Sequence, residues 1–175
     1  TFGLIILAPF LLVLAIAVRW SSCGPVFHVQ ERMGLDGRTF RMIKFRSMRP
    51  GAEDTKGFTK PDDNRCTPVG RFLRRTSLDE LPQLFNVLVG DMSLVGPRPE
   101  RPVYIDKFRK TIPRYMLRHK IKAGMTGWAQ VNGWRGNSSL KKRIQYDLFY
   151  MHHWSIWFDL KILVMTLLRG WMHPN

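Results

Sequence analysis

Asp79 and Glu80 stand side by side in the segment RFLRRTSLDELPQLFNVLVGDMSLVGPRPE, Arg71 to Glu100. Arg71, Arg74 and Arg75 precede them, and Pro82 with the apolar set Leu81, Leu84, Phe85 and Leu88 follows. Adjacent carboxylates among guanidinium groups can do what neither type does alone. The carboxylates can hold Mg²⁺ through oxygen ligands, cations and metal together neutralise a pyrophosphate, and one carboxylate is left to attack phosphorus. That is phosphoryl-transfer chemistry. Taken singly, an Asp-Glu pair reads first as a helix cap with a solvated charge. Ser77 and Glu80 have capping-box spacing, while Asp79 as N-cap would place Pro82 at N3. Either cap sets both carboxylates at the positive end of a helix, where phosphate also binds.

Two other stretches carry polar groups in unusual settings. In Pro97-Arg98-Pro99 two prolines fix φ on either side of one arginine, so the backbone that carries the guanidinium is restricted. Its functional reading is a bidentate contact to phosphate, and its structural reading a rigid turn. Lys44 and Arg46 alternate with Met42 and Met48, aimed either at the same anion or at water. Ile121 to Gly136 packs four glycines, two tryptophans and the amides of Gln130 and Asn132 into one loop. Glycine allows close backbone approach, and aromatic faces with amides can read a base or a sugar. No GxxxxGKS/T, GxGxxG, nucleophile elbow or HExxH is present. The five histidines are scattered and read as structural or interfacial.

The elements that must position these groups begin at the N-terminus. Phe2 to Val18 is an apolar run of 17 residues closed by Arg19 and Trp20, a cation and an aromatic suited to a membrane interface. As a helix it would reach only ~25 Å, short of a ~30 Å hydrocarbon core, and Pro9 in its middle predicts a kink or break. The helix then either crosses the bilayer or turns back at Pro9 as a re-entrant segment. Trp154 to Trp171 places Trp157, Leu160, Val164, Leu168 and Trp171 near one face, as an in-plane amphipathic helix would. Between the two ends, Pro25 to Met48 reads as a β-hairpin turning at Asp36-Gly37. Residues 49–70, with Gly51, Gly57, Pro61, Pro68 and Gly70, read as a loop. Helices are expected over 71–90, 101–119 and 138–151. The expected architecture is α+β and mostly helical, with a membrane helix over 1–20 and a compact cytosolic catalytic domain with a C-terminal interfacial helix over 21–175.

Composition narrows the function classes. The chain has 175 residues with a formal net charge of +15, yet 45% of them are hydrophobic, which excludes low-hydrophobicity disorder. Two cysteines, Cys23 and Cys66, are too few for a disulfide framework and lack zinc-ligand spacing. An excess of cations calls for an anionic partner: nucleic acid, anionic lipid or a phosphorylated substrate. A nucleic-acid-binding module has no use for the apolar run. Thr1 in place of Met is the start expected of a fragment or a processed chain.

The runs GPVFHVQERMGLDGRTFRMIKFRSM, RTSLDELPQLFNVLVGDMSLVGPRPE, KAGMTGWAQVNGWRG and YDLFYMHHWSIWFDLKIL strongly resemble the bacterial sugar transferases, monotopic phosphoglycosyl transferases acting on polyprenyl phosphate. They occur in the family's order over nearly the whole chain, and SLDELPQ followed by GPRP is far more specific than either piece alone. The resemblance implies a Mg²⁺-dependent enzyme that moves a sugar 1-phosphate from a UDP-sugar to undecaprenyl phosphate and releases UMP, the first membrane step of surface polysaccharide or glycoconjugate assembly. It implies Asp79 as nucleophile, through a covalent phosphosugar intermediate, with Glu80 as metal ligand or proton acceptor and Arg74 on a phosphate. Lys44 and Pro97, Arg98 and Pro99 match family positions linked to the site. It also implies the cytosolic face of the bacterial inner membrane, with the lipid bilayer as a partner; apart from the resemblance, a homodimer is a reasonable assembly and nucleic acid is not expected as a partner. A non-catalytic scaffold of a polysaccharide assembly complex is the rival expectation.

Overall fold

In the computed structural model of the chain, which describes residues 2–52, 63–136 and 138–169, the hairpin is where the sequence sets it. Five residues, Gly34 to Arg38, join the strands: Leu35–Gly37 make one 3₁₀ turn in which Asp36 and Gly37 take positive φ, 51° and 76°, and the Gly34 amide donates to the Arg38 carbonyl at 2.8 Å. Strands β1 (Phe27–Met33) and β2 (Thr39–Phe45) pair antiparallel from Phe27↔Phe45 to Met33↔Thr39. Phe27 stacks on Phe45 with ring centroids 5.5 Å apart.

The N-terminal run forms one helix, α1 (Phe2–Ser21), which continues through Pro9. The expected break is therefore absent. A proline removes one hydrogen bond of the ladder, and the neighbouring turns, with Leu11, Leu14, Ala15 and Val18 set on one packed face, hold the helix together. Leu14 and Val18 are buried against Phe45 of β2 and Leu73 of α2 (Pro68–Arg75), in a cluster that also takes in Leu78 and Leu81. On the opposite face Ile6, Phe10, Leu12, Val13 and Ile16 are exposed. Among the described residues no helix is long and apolar enough to cross a membrane.

A continuous helix over 71–90 does not form. Helix α2 ends at Arg75, Ser77 turns left-handed at φ 57°, Leu78–Glu80 make one 3₁₀ turn, and α3 runs Gln83–Val89. Thr67 caps α2 by accepting from the Gly70 amide at 2.9 Å. A Cβ on Gly70 would lie 1.9 Å from the Ser47 carbonyl oxygen, so only glycine lets the first turn of α2 sit on the chain leaving β2. The expected 101–119 helix divides likewise into α4 (Pro102–Thr111) and a 3₁₀ segment Tyr115–Lys120. Pro113 disfavours helical torsions at Ile112, which is extended at φ −123° and ψ 115°.

Short strands β3 (Ser93–Val95) and β4 (Gly124–Thr126) pair in parallel, an element with no hydrophobic alternation to announce it. Helix α5 (Trp128–Val131) follows, then α6 (Leu140–His152) and α7 (Ile156–Arg169). Helix α7 is inverted relative to a water-facing helix. Asp159 turns inward and accepts from Tyr150 Oη at 2.7 Å and Trp154 Nε1 at 3.2 Å, and Thr166 meets Thr126 at 2.7 Å. Ile156, Trp157, Leu160, Val164, Leu167 and Leu168 are exposed. The expected apolar face through Trp157, Leu160, Val164 and Leu168 is thus present, while Trp171, His173, Gly57 and Pro61 lie outside the described residues.

Candidate active site

The carboxylate pair is carried by the 3₁₀ turn Leu78–Glu80, whose flanking residues Leu78 and Leu81 pack into the cluster under α1. Neither expected cap forms. Ser77 precedes the turn in the left-handed region and makes no side-chain cap bond, since a side-chain cap needs extended torsions at that position. Helix α3 begins after Pro82, again with no side-chain cap. Two leucines driven into the core on either side, rather than a capping box, set the direction of Asp79 and Glu80.

Glu80 is committed. Arg98 grips it in a bidentate ion pair, Nη1 to Oε2 at 3.2 Å and Nη2 to Oε1 at 2.5 Å. Burial alone would raise the Glu80 pKa, but the Arg98 charge and its hydrogen bonds, with Lys44 and Arg32 behind them, hold it below the ordinary value. Arg98 is raised in turn, chiefly by the Glu80 charge. Asp79 is in the opposite condition. It is 7% exposed, and among the described residues no side chain donates a hydrogen bond to its carboxylate. Burial first, and then the Glu80 charge, push its pKa up to about 6 against the pull of Lys44, Arg74 and Arg98. Two neighbouring carboxylates thus differ sharply, one ionised and held, the other open and easily protonated.

Of the residues expected at the site, Lys44, Arg74 and Arg98 surround Asp79 electrostatically. Burial lowers the Lys44 pKa, and the Asp79 charge partly restores it. Arg74 Nη1 lies 3.7 Å from Cys66 Sγ. Arg46 parts from Lys44: its Nη2 donates to the Ser22 carbonyl at 2.7 Å and its Nη1 to that of Cys23 at 3.1 Å, tying β2 to the end of α1. Gln130 and Asn132 direct their amide donors to their own loop, to the carbonyls of Met125 at 3.2 Å and Trp128 at 2.7 Å. The glycines there serve backbone packing. A Cβ on Gly124 would fall 2.1 Å from the Gly96 nitrogen, and one on Gly127 2.2 Å from the Gly96 oxygen.

Two cations at the site were not singled out by the sequence. Arg32 on β1 is close enough to Glu80 and Arg98 to feel both charges, and burial with the Arg98 charge lowers its pKa to about 10. Arg135 feels Arg98 and Glu80 in the same way. The hairpin alternation could have flagged Arg32, which sits two residues from Gln30 and donates to it at 2.7 Å; nothing in the sequence distinguishes Arg135 from other loop cations.

Among the described residues no group of three or more His, Cys, Asp and Glu side chains is placed to hold a metal. Mg²⁺ does not need one: it commonly takes one or two carboxylates and completes its shell with substrate phosphates and water. The open Asp79 carboxylate fits that role better than Glu80, both of whose oxygens accept from Arg98.

A family model described as bacterial sugar transferase matches residues 1–173. A protein of Escherichia coli (strain K12) named UDP-glucose:undecaprenyl-phosphate glucose-1-phosphate transferase is 49% identical over 99% of this chain and 38% of its own length. A protein of Xanthomonas campestris pv. campestris with the same name is 53% identical over 92% of the chain and 34% of its own length. A protein of Aeromonas hydrophila named UDP-N-acetylgalactosamine-undecaprenyl-phosphate N-acetylgalactosaminephosphotransferase is 42% identical over 91% of the chain and 38% of its length. The chain therefore spans between a third and two fifths of these relatives.

Proposed function

Because the chain belongs to the bacterial sugar transferase family, we propose that it transfers a sugar 1-phosphate from a UDP-sugar to undecaprenyl phosphate, releasing UMP. The observation that carries this reading is the contrast at the doublet: a buried Asp79 free of hydrogen bonds among the described residues, beside a Glu80 locked by Arg98. A nucleophilic carboxylate must be desolvated and unencumbered, and its neighbours must be cations that receive phosphate charge.

In the first half-reaction an Asp79 carboxylate oxygen attacks the phosphorus that bears the sugar, the bond from that phosphorus to the bridging oxygen breaks, and UMP departs with the electron pair. In the second, a phosphate oxygen of undecaprenyl phosphate attacks the same phosphorus and the Asp79 carboxylate leaves. The Lys44 and Arg74 charges act on Asp79, and both side chains are suited to the phosphate oxygens; Arg98 holds Glu80 ionised, as the acceptor of the proton that a neutral Asp79 loses before attack. Mg²⁺, held by Asp79, would supply charge neutralisation at the pyrophosphate when bound.

The lipid acceptor accounts for the exposed apolar surfaces. Helix α1 packs its inner face directly beneath the doublet and bares its outer one, and α7 is apolar outward. Both suit the interfacial zone of a bilayer, with Trp157 81% and Trp20 85% exposed as anchors at headgroup depth. The protein would then act on the cytosolic face of the bacterial cytoplasmic membrane. Two of the relatives above are named for glucose 1-phosphate, which makes UDP-glucose the first donor to test.

The decisive experiment incubates purified protein with UDP-sugars, Mg²⁺ and undecaprenyl phosphate and follows UMP. Release that requires Asp79, with a phosphosugar adduct on that residue when acceptor is withheld, is the expected result. Adduct formation by Asp79→Asn protein, or the absence of release with every donor, refutes the reading.

A further inference from the structure

Four consecutive carbonyls, those of Pro97, Arg98, Pro99 and Glu100, each accept a hydrogen bond from a different part of the fold. Gly124 N donates to Pro97 O at 2.9 Å, Arg118 Nη2 to Arg98 O at 2.8 Å, Arg32 Nη1 to Pro99 O at 3.2 Å, and Met33 N to Glu100 O at 2.9 Å. Pro97 and Pro99 have no amide hydrogen with which to fix themselves, so the turn is held through its acceptors. Two of the four donors are guanidinium groups.

Arg118 is the more deeply placed of these, 1% exposed in the 3₁₀ segment Tyr115–Lys120. Its Nη2 also pairs with Asp147 Oδ2 of α6 at 2.8 Å, and its Nη1 faces Glu100 at 3.7 Å. Glu100 takes a second cation, Arg143 Nη1 at 2.7 Å, and Arg143 Nη2 donates to Gly136 O at 2.7 Å. A buried set of two arginines and two carboxylates therefore joins α6, the 3₁₀ segment and the glycine-rich loop to the one turn whose side chain grips Glu80. So much desolvated charge is a weak route to stability, because burying each ion costs about what the pairing returns. It is a strong route to fixing geometry.

We infer that Arg118 is a positioning residue for the transfer reaction: through the Arg98 carbonyl it fixes the turn from which the Arg98 side chain holds Glu80, and so keeps Asp79 unbonded. The kinetic side of the inference rests on the transfer reading above; the geometric side does not.

The test uses the whole chain in detergent, as wild type, Arg118→Lys, Arg98→Lys and the double variant. A lysine at 118 keeps the charge but cannot reach Arg98 O and Asp147 together. UMP release should fall at least about tenfold in kcat for Arg118→Lys, with KM for the donor changed by less than about threefold. In the Arg98→Lys background the same substitution should cost less than about twofold, because the side chain through which it acts has lost its fork. Equal losses in both backgrounds overturn the inference. The second measurement is independent of turnover: nitrogen-15 NMR exchange of the Arg98 Nε proton should accelerate in Arg118→Lys. Asp147→Asn, which is isosteric and removes the partner of Arg118, should accelerate it too and covers the case in which Arg118→Lys does not fold. Unchanged Arg98 exchange in the folded variants overturns the inference. Wild-type protein that releases no UMP but shows the exchange effect refutes the transfer reading while upholding the positioning of Arg98.

Discussion

Arg98 donates to both carboxylate oxygens of Glu80, at 3.2 and 2.5 Å, and Asp79, one residue earlier, accepts from no side chain among the described residues. The ion pair divides two chemically similar groups into different roles. Glu80 keeps its charge because a guanidinium fork satisfies it, whereas Asp79 is raised toward neutrality by burial and by the charge next door. In the proposed transfer reaction that asymmetry selects Asp79 as the nucleophile, since it is the carboxylate with fewest prior commitments.

The raised pKa of Asp79 has a cost that should be measurable. Its folded value of about 6 lies above the ordinary aspartate value of 3.8, so between about pH 4 and pH 6 the folded protein keeps a proton that the unfolded chain gives up. Stability therefore falls as pH rises through that window and is level above it. Asp79→Asn should match wild type near pH 4 and exceed it at pH 7.5, by at most about 3 kcal/mol at about 1.4 kcal/mol per pKa unit. Denaturant melts at both pH values, in EDTA, would show it, and a variant no more stable than wild type at pH 7.5 would count against the burial of a charged Asp79.

Glu80→Gln should lower kcat about a hundredfold or more by removing the acceptor and slackening Arg98. It should also move the acid limb of kcat/KM to lower pH. In wild type that limb should lie at or below about pH 6, because bound Mg²⁺ can only favour ionised Asp79. Loss of the neighbouring carboxylate and release of the Arg98 charge both lower it further. A limb that moves upward would disprove the coupling between the two carboxylates.

Magnesium offers a test that does not depend on turnover. Mg²⁺ should raise the melting temperature of the wild-type protein in the presence of UMP or UDP-sugar, by selective binding to the folded state. Asp79→Asn should lose most of that shift, and Glu80→Gln should keep more of it, since Glu80 is already paired with Arg98. Equal loss in the two variants would argue that both carboxylates bind the metal.

The exposed stripe on α7 predicts where lipid contact lies. Replacing Trp157 and Leu167 together by serine should weaken sedimentation with anionic vesicles at least about tenfold, about 1.4 kcal/mol, while leaving the melting temperature close to that of wild type. Both side chains are exposed, so little core is lost. Undiminished vesicle binding would remove α7 from the membrane contact.

At Gly70 the demand is steric. A Cβ 1.9 Å from the Ser47 carbonyl oxygen must displace either α2 or the chain after β2, and Gly70→Ala should cost about 2 kcal/mol or more in denaturant titration. Because α2 carries Arg74, activity should fall with it.

Much of the molecule was legible without coordinates, wherever a short-range rule was strong enough. Asp36-Gly37 between two strand-forming stretches specifies a hairpin through local torsions, while its register, Met33 opposite Thr39, follows from a five-residue connection that the dipeptide does not announce. The apolar stripe of α7 was legible too, with Trp157, Leu160, Val164 and Leu168 exposed together; the α1 run is apolar all round, and only packing selects Leu11, Leu14, Ala15 and Val18 as its inner face. The helices over 71–90 and 101–119 were too long as read, because Ser77 and Arg114 adopt left-handed torsions that residues other than glycine rarely take and that no neighbour in the chain predicts. At Pro9 the break, one of the two outcomes expected there, does not occur, since the packing of the turns after it keeps the helix whole.

The site divides the same way. The types and spacing of Asp79, Glu80, Arg74 and the Pro97-Arg98-Pro99 turn are properties of the chain; each alone reads also as a cap or a rigid turn, and together, in the order of the bacterial sugar transferases, they point to phosphoryl transfer. Which carboxylate lacks a side-chain donor, that the Lys44 charge acts on it while Arg46 is tied to the end of α1, that Gln130 and Asn132 donate within their own loop, and that Arg118 and Arg32 donate to the turn were settled only by folding. Those facts depend on contacts between residues tens of positions apart, such as Arg98 with Glu80 and Arg118 with Asp147, and the charge a buried group carries is set by what packs against it rather than by its neighbours in sequence.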